Sequence, residues 1–126
     1  MASITLTSVS RVAAGATLLN NVSLHVAQGE LVVLVGPSGA GKTSLIRAVA
    51  GLDKLDSGAV FFDEEDVTEV EVAKRDVGIV FQSNTLFPRH NVRRNISFPL
   101  KIRSMRRDLI DTRVTAEARS LGIEEV

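Results

Sequence analysis

The sequence predicts an α/β fold, with an antiparallel N-terminal sheet against the beginning of a core built around a glycine-rich loop, and a helical segment at the end. Three observations predict it. Residues 4–9 and 19–26 alternate apolar and polar side chains, the period-two pattern of half-buried strands. Leu31-Val32-Val33-Leu34-Val35 is a solid leucine and valine run, the pattern of a strand covered on both faces in a parallel sheet. Directly after it, Gly36-Pro37-Ser38-Gly39-Ala40-Gly41-Lys42-Thr43 fits G-x-x-x-x-G-K-[ST] and opens a helical pattern.

The first strand is expected over residues 4–9, followed by a turn over residues 11–15. In the second, Asn21, Ser23 and His25 oppose Val22, Leu24 and Val26. Gln28-Gly29-Glu30 is a tight turn before the apolar run. After the glycine-rich loop a short helix should bury Leu45, Ile46, Ala48 and Val49, with Gly51 at its C-terminal stop. Ser57-Gly58 is a turn and residues 59–62 a short strand. Asp63-Glu64-Glu65-Asp66 forms an acidic tip, and consecutive carboxylates on a hairpin turn suit solvation better than a metal. Val77-Gly78-Ile79-Val80-Phe81 predicts a second buried strand, ending at Gln82, and residues 83–91 a loop. Leu109, Ile110, Val114, Ala118 and Leu121 recur at helical spacing, with Gly122 as the stop.

Length and composition bound the function. The 126 residues are enough for one domain. With 44% hydrophobic and 24% charged residues the chain is globular rather than disordered. A net charge of zero lacks the basic footprint of a general nucleic-acid binder. The absence of cysteine excludes disulfides and thiolate metal sites, and suits a cytosolic protein. Residues 1–6 show no basic cluster leading into an apolar core, so no signal peptide is expected. The longest apolar run, residues 31–35, is far short of the roughly 20 residues of a membrane helix. Any membrane association is therefore expected to come from docking on a partner.

The glycine-rich segment carries the chemistry. Glycines let the backbone curl so that its N–H groups point inward at phosphate. The helix that follows directs its positive dipole end at the same point. Lys42 can reach the β- and γ-phosphates, and the Thr43 hydroxyl can ligate Mg²⁺. A random chain of this length would match the pattern on the order of a few times per thousand. The flanking strand and helix patterns are the context the motif requires.

The flanks of this P-loop resemble ABC (ATP-binding cassette) transporter ATPases. The resemblance runs through Leu19-Asn20-Asn21-Val22-Ser23-Leu24, Gly29-Glu30-Leu31, the loop itself with Ser44-Leu45, Ala50-Gly51-Leu52 and Ser57-Gly58. Further on, Val77-Gly78-Ile79-Val80-Phe81-Gln82 looks like the strand into that family's Q-loop, followed by Leu86-Phe87-Pro88, Val92 and Asn95-Ile96. It covers essentially the whole chain and is nearest to importers of sugars and related small solutes. The resemblance implies a P-loop NTPase fold: residues 1–101 as β subdomain and P-loop core through the Q-loop, residues 102–126 as the start of a helical subdomain. It implies that Gly36, Pro37, Ser38, Gly39, Ala40, Gly41, Lys42, Thr43 and Ser44 bind the phosphates of ATP. Lys42 and Gln82 would serve the chemistry, and Thr43 and Gln82 would hold Mg²⁺. The implied partners are transmembrane permease subunits and a second ATP-binding subunit, at the cytoplasmic face of the membrane. The loop over residues 82–99, with Arg89, Arg93 and Arg94, would face the permease.

The sequence departs from the family in three places. The adenine-stacking aromatic expected after the first strand falls near Ala13; the chain has no Tyr or Trp, and its first Phe is Phe61. Base–aromatic stacking contributes ~1–3 kcal/mol, so its loss implies roughly 5–150-fold weaker affinity. The Pro88-Arg89-His90-Asn91 stretch is permuted from the usual Pro-His pattern, and His90 is expected to be a loop histidine without a special role. The signature motif, the Walker B strand with its glutamate and the switch histidine are not among these 126 residues. The chain alone is therefore expected to be inactive in hydrolysis. Two alternatives stand beside this reading: a nucleotide-binding remnant without ATPase activity, and a guanylate-kinase-like enzyme, which shares G-P-S-G-x-G-K but has no counterpart of the segments flanking it here.

Overall fold

The computed structural model describes residues 2–83 and 85–124. The chain divides into two compact units, Met1–Ile79 and Val80–Val126.

The first unit is a four-stranded antiparallel sheet with one helix on it. Strand β1 (Ile4–Ala13) pairs with β2 (Ala16–Val26), from Ile4 opposite Val26 to Ala13 opposite Ala16. Its other edge pairs with β3 (Ser57–Phe62), which pairs with the short β4 (Glu65–Asp66), giving the order β2-β1-β3-β4. Leu6, Val9, Leu19 and Val60 are buried; Leu6 and Val9, three residues apart, share the inner face because β1 shifts register between them. Helix α1 (Lys42–Val49) covers that face with Leu45 and Ala48, and Val67 completes the core cluster.

β1 and β3 are both longer than their sequence patterns suggested. Residues 11–13, expected in a turn, continue β1 opposite Leu19, Thr17 and Ala16, so only Ala14 and Gly15 turn the chain. β3 begins at Ser57, because Ser10 of β1 still offers it a partner. The β1–β2 ladder shifts register at left-handed Ser8 and Asn21. Hydroxyls repair the break: Ser23 Oγ accepts from the Ser8 N–H and Ser10 Oγ from the Asn21 N–H, each at 2.9 Å.

Two expected strands are absent. Residues 31–35 form no ladder, and Leu31 and Val35 are 88% and 90% exposed. Only Leu34 packs on the core. An apolar run supplies side chains for burial but no backbone partner, and no strand among the described residues pairs with it. Residues 77–81 likewise stay irregular, with Val80 96% exposed. Within α1, Ile46 is exposed, contrary to expectation. The i, i+3 pair Leu45 and Ala48 makes the face that meets the sheet, and Ile46 lies beside it.

The second unit is a helix pair, α2 (Val92–Ile102) and α3 (Arg107–Ser120). The loop expected over residues 82–99 thus ends at Asn91, whose side chain accepts from the Arg94 N–H at 2.9 Å and caps α2. Pro99 sits inside the last turns of α2. On α3, Ile110 and Val114 are buried as expected, whereas Leu109 and Leu121 are exposed, because the pair of helices buries one face only. Gly122 ends α3 in the left-handed region, its N–H donating to Arg119 O at 3.0 Å.

Candidate functional site

The glycine-rich loop joins the extended residues 31–35 to α1, so Gly36, Pro37, Ser38, Gly39, Ala40, Gly41, Lys42, Thr43 and Ser44 meet at one loop–helix junction. Gly41 is the N-cap of α1, at φ 84°. A Cβ there would strike the Leu18 carbonyl of β2. Glycine is required twice over, by conformation and by contact, and the contact seats the loop on the sheet.

The first turn of α1 has no side-chain cap and no acidic residue. Its leading N–H groups and the positive end of the helix dipole are left for another acceptor. Lys42 supplies the only side-chain cation of that turn. Its Nζ donates to the carbonyls of Gly36 at 2.8 Å and Pro37 at 2.7 Å, folding over the loop. Those are neutral acceptors, and an anionic oxygen in their place would make a stronger, charge-assisted bond. Thr43 is exposed beside it. Lys42 and Thr43 also border an apolar cleft of about 630 Å³ floored by Leu6, Leu24 and Leu34.

Gln82 belongs to the other unit, exposed on a bend after Phe81. The loop beyond it is shaped by Asn95. Its Oδ1 accepts from the Phe87 N–H at 2.8 Å, and its Nδ2 donates to the carbonyls of Phe87, His90 and Asn91 at 3.3, 3.0 and 3.1 Å. His90 lies in the loop, as expected, with its ring 5.3 Å from Phe87 and 6.2 Å from Phe98, centroid to centroid.

Among the described residues, no group of His, Cys, Asp and Glu could hold a metal ion. At the acidic tip, Asp63 accepts from the backbone N–H and hydroxyl of Ser3, which hold its carboxyl below the ordinary carboxylate range. The Thr68 hydroxyl and N–H do the same for Asp66. Thr43 carries a hydroxyl and Gln82, in the second unit, an amide oxygen, each a hard ligand of the kind Mg²⁺ takes alongside phosphate oxygens and water.

Sequence reasoning missed Arg75, which follows Lys74 and carries no motif. It is 6% exposed and donates to four backbone carbonyls. It also assigned no role to Asn95, although an Asn four residues after a capping Asn is a local signal for a side chain folded back on a helix start.

Comparison with known proteins places this geometry. The family described as ABC transporter matches residues 19–126. The maltose/maltodextrin import ATP-binding protein MalK of Vibrio vulnificus (strain YJ016) is 44% identical over 123 residues, 98% of this chain and 33% of that protein. The sn-glycerol-3-phosphate import ATP-binding protein UgpC of Brucella abortus (strain 2308) is 44% identical over 108 residues, 86% of this chain and 31% of that protein. The chain thus spans about a third of the length of the curated relatives it matches. Among solved structures, the ADP conformation of an ATP-binding cassette of an ABC transporter superposes with a TM-score of 0.55 at 32% identity, covering 58% of this chain and 29% of that one. A second structure of that cassette gives 0.66 at 26% identity, covering 76% and 39%. The match decides against the guanylate-kinase alternative: the chain belongs to the ABC transporter family, and its fold is the N-terminal portion of the ATP-binding cassette.

Proposed function

We propose that this chain is the nucleotide-binding end of the ATP-binding subunit of an ABC-type solute importer. The observation that carries this is the junction at residues 36–44, where uncapped N–H groups, the dipole of α1 and the Lys42 ammonium converge. ATP phosphates would replace Gly36 and Pro37 as the acceptors of Lys42, with Pro37, Ser38, Gly39, Ala40, Gly41 and Ser44 lining the approach. Thr43 and Gln82 would ligate Mg²⁺, which neutralises charge on the phosphates when bound. Gln82 would also orient the attacking water. The relatives named above are import ATP-binding proteins, which supports solute import through permease subunits in the membrane.

Residues 1–101 then serve as β subdomain and P-loop core through the Q-loop, and residues 102–126 begin the helical subdomain. A second ATP-binding subunit would close the site. Turnover needs residues the family carries beyond this stretch, so these 126 residues alone bind nucleotide without hydrolysing it. The subunit works at the cytoplasmic face, held there by the permease; no helix among the described residues is long and apolar enough to cross a membrane. Charge is unevenly shared: residues 80–126 hold nine Lys and Arg against five Asp and Glu, residues 1–79 six against ten. That asymmetry supports the second unit as the docking side.

The test is calorimetric titration of Mg-ATP into the wild type and Lys42→Ala. Loss of a charged hydrogen-bond donor, worth about 1.5–3 kcal/mol, should weaken binding by roughly 10–150-fold. Equal affinity in the two proteins would remove residues 36–44 as the site.

A further inference from the structure

We infer that Arg75 is a positioning residue for the phosphate-binding end of α1, an inference that rests on the nucleotide-binding reading above. The guanidinium bridges three segments that are distant in sequence. Nη1 donates to the carbonyls of Ala48 at 3.1 Å and Val49 at 2.9 Å, Nε to Val70 at 2.9 Å, and Nη2 to Thr68 at 2.8 Å. Ala48 and Val49 lie in the last turn of α1, where the Ala48 carbonyl also accepts from the Gly51 N–H at 3.0 Å.

The acceptors explain why this is more than a charge at a helix end. Arg47 already stands in the last turn, and it is spent on Asp53 at 2.8 and 2.9 Å. Arg75 adds a planar fork whose acceptors are all backbone. Backbone carbonyls cannot rotate away as a side chain can, so the fork fixes the helix end relative to residues 68–70. Burial pulls the Arg75 pKa below the ordinary arginine value, with Glu69 and Asp66 opposing. A buried guanidinium that lost these acceptors would be left uncompensated, so the bonds are held together or given up together.

α1 has eight residues and is about 12 Å long. A tilt at its C-terminal end reaches its first turn almost undiminished. That turn carries Lys42 and Thr43, and Gly41 before it touches β2. Arg75 is also the last residue before the chain runs through residues 76–81 to Gln82. One side chain thus ties the end of the P-loop helix to residues 68–70.

The test uses the protein as the source cell makes it. In Arg75→Ala, Mg-ATP affinity should fall about tenfold, as expected when site groups shift without being removed. Amide exchange at residues 41–45 should quicken in the nucleotide-free protein, and millimolar guanidinium ion should restore both. Should Arg75→Ala fail to fold, Arg75→Lys, which keeps the charge without the fork, is read by the same two measurements. Quickened exchange confined to residues 48–52 and 68–75, with affinity unchanged, would overturn the inference and leave Arg75 a local stabiliser. If the wild type and Lys42→Ala bind nucleotide equally, the P-loop reading is what has failed. Exchange at residues 41–45 still decides whether Arg75 positions the first turn of α1.

Discussion

Gly51 and Arg75 occupy adjoining space: a Cβ on Gly51 would lie 2.5 Å from Arg75 Nε and 2.7 Å from its Cζ. Gly51 is also left-handed, at φ 76°, where the chain leaves α1. Gly51→Ala therefore meets two obstacles. The backbone conformation costs about 1–2 kcal/mol for a residue with a Cβ. Displacing the guanidinium from its carbonyls costs about 1–2 kcal/mol more. We expect a loss of about 2–4 kcal/mol in urea unfolding. Gly78→Ala, where a Cβ meets nothing within 4 Å, is the control and should change little. Equal effects at the two positions would contradict the close fit.

Acid should loosen the closure of the β1 and β3 ends. Asp63 is held below its ordinary pKa by Ser3, first through the backbone N–H and then the hydroxyl. A carboxyl depressed in the folded state contributes stability above its unfolded pKa and loses it as pH falls through the folded pKa. Stability should be level above about pH 5 and decline below about pH 4. Asp63→Asn should flatten part of that decline. A mutant with the wild-type acid limb would show that the Ser3 contact is not maintained in solution.

The parts of this molecule that were legible in the sequence are those whose cause is local. The alternation over residues 19–26 marked β2, and the spacing of Ile110 and Val114 marked α3. The residues that gather at the start of α1 are consecutive, so their motif carries their geometry with it. Leu31-Val32-Val33-Leu34-Val35 has strand composition, but pairing depends on a neighbour that composition does not reveal. α2 was hidden by Pro99, which reads as a breaker, although Asn91 is a good N-cap and Val92, Ile96 and Leu100 share a helical face. Arg75 was least legible, because its acceptors at residues 48, 49, 68 and 70 come together only in the fold.

The loop after Gln82 should depend on one amide. Asn95 accepts one backbone hydrogen bond from Phe87 and donates to three carbonyls in the turn before α2. Asn95→Asp keeps the acceptor and loses the donors, and its charge faces carbonyl oxygens. Both Asn95→Ala and Asn95→Asp should cost about 1–3 kcal/mol. Amide exchange at Phe87 and His90 should quicken, and the Asp variant should be no better than the Ala variant. A wild-type exchange rate in Asn95→Asp would show that the acceptor alone shapes the turn.

The exposed run at residues 31–35 should govern how these 126 residues behave on their own. Leu31 and Val35 present apolar side chains to solvent, and the run has no ladder partner among the described residues. Such a segment combines β propensity, low charge and unpaired backbone, the features of a template for association between copies. Light scattering should rise with concentration. Val33→Thr with Val35→Thr should lower the scattering while leaving Leu34, which packs on the core, in place. Threonine keeps the β-branched shape, so the change acts on apolar exposure rather than on backbone preference. A monomeric wild-type chain with a cooperative melt would mean that residues 31–35 find cover within the chain, and the double variant would then show no gain.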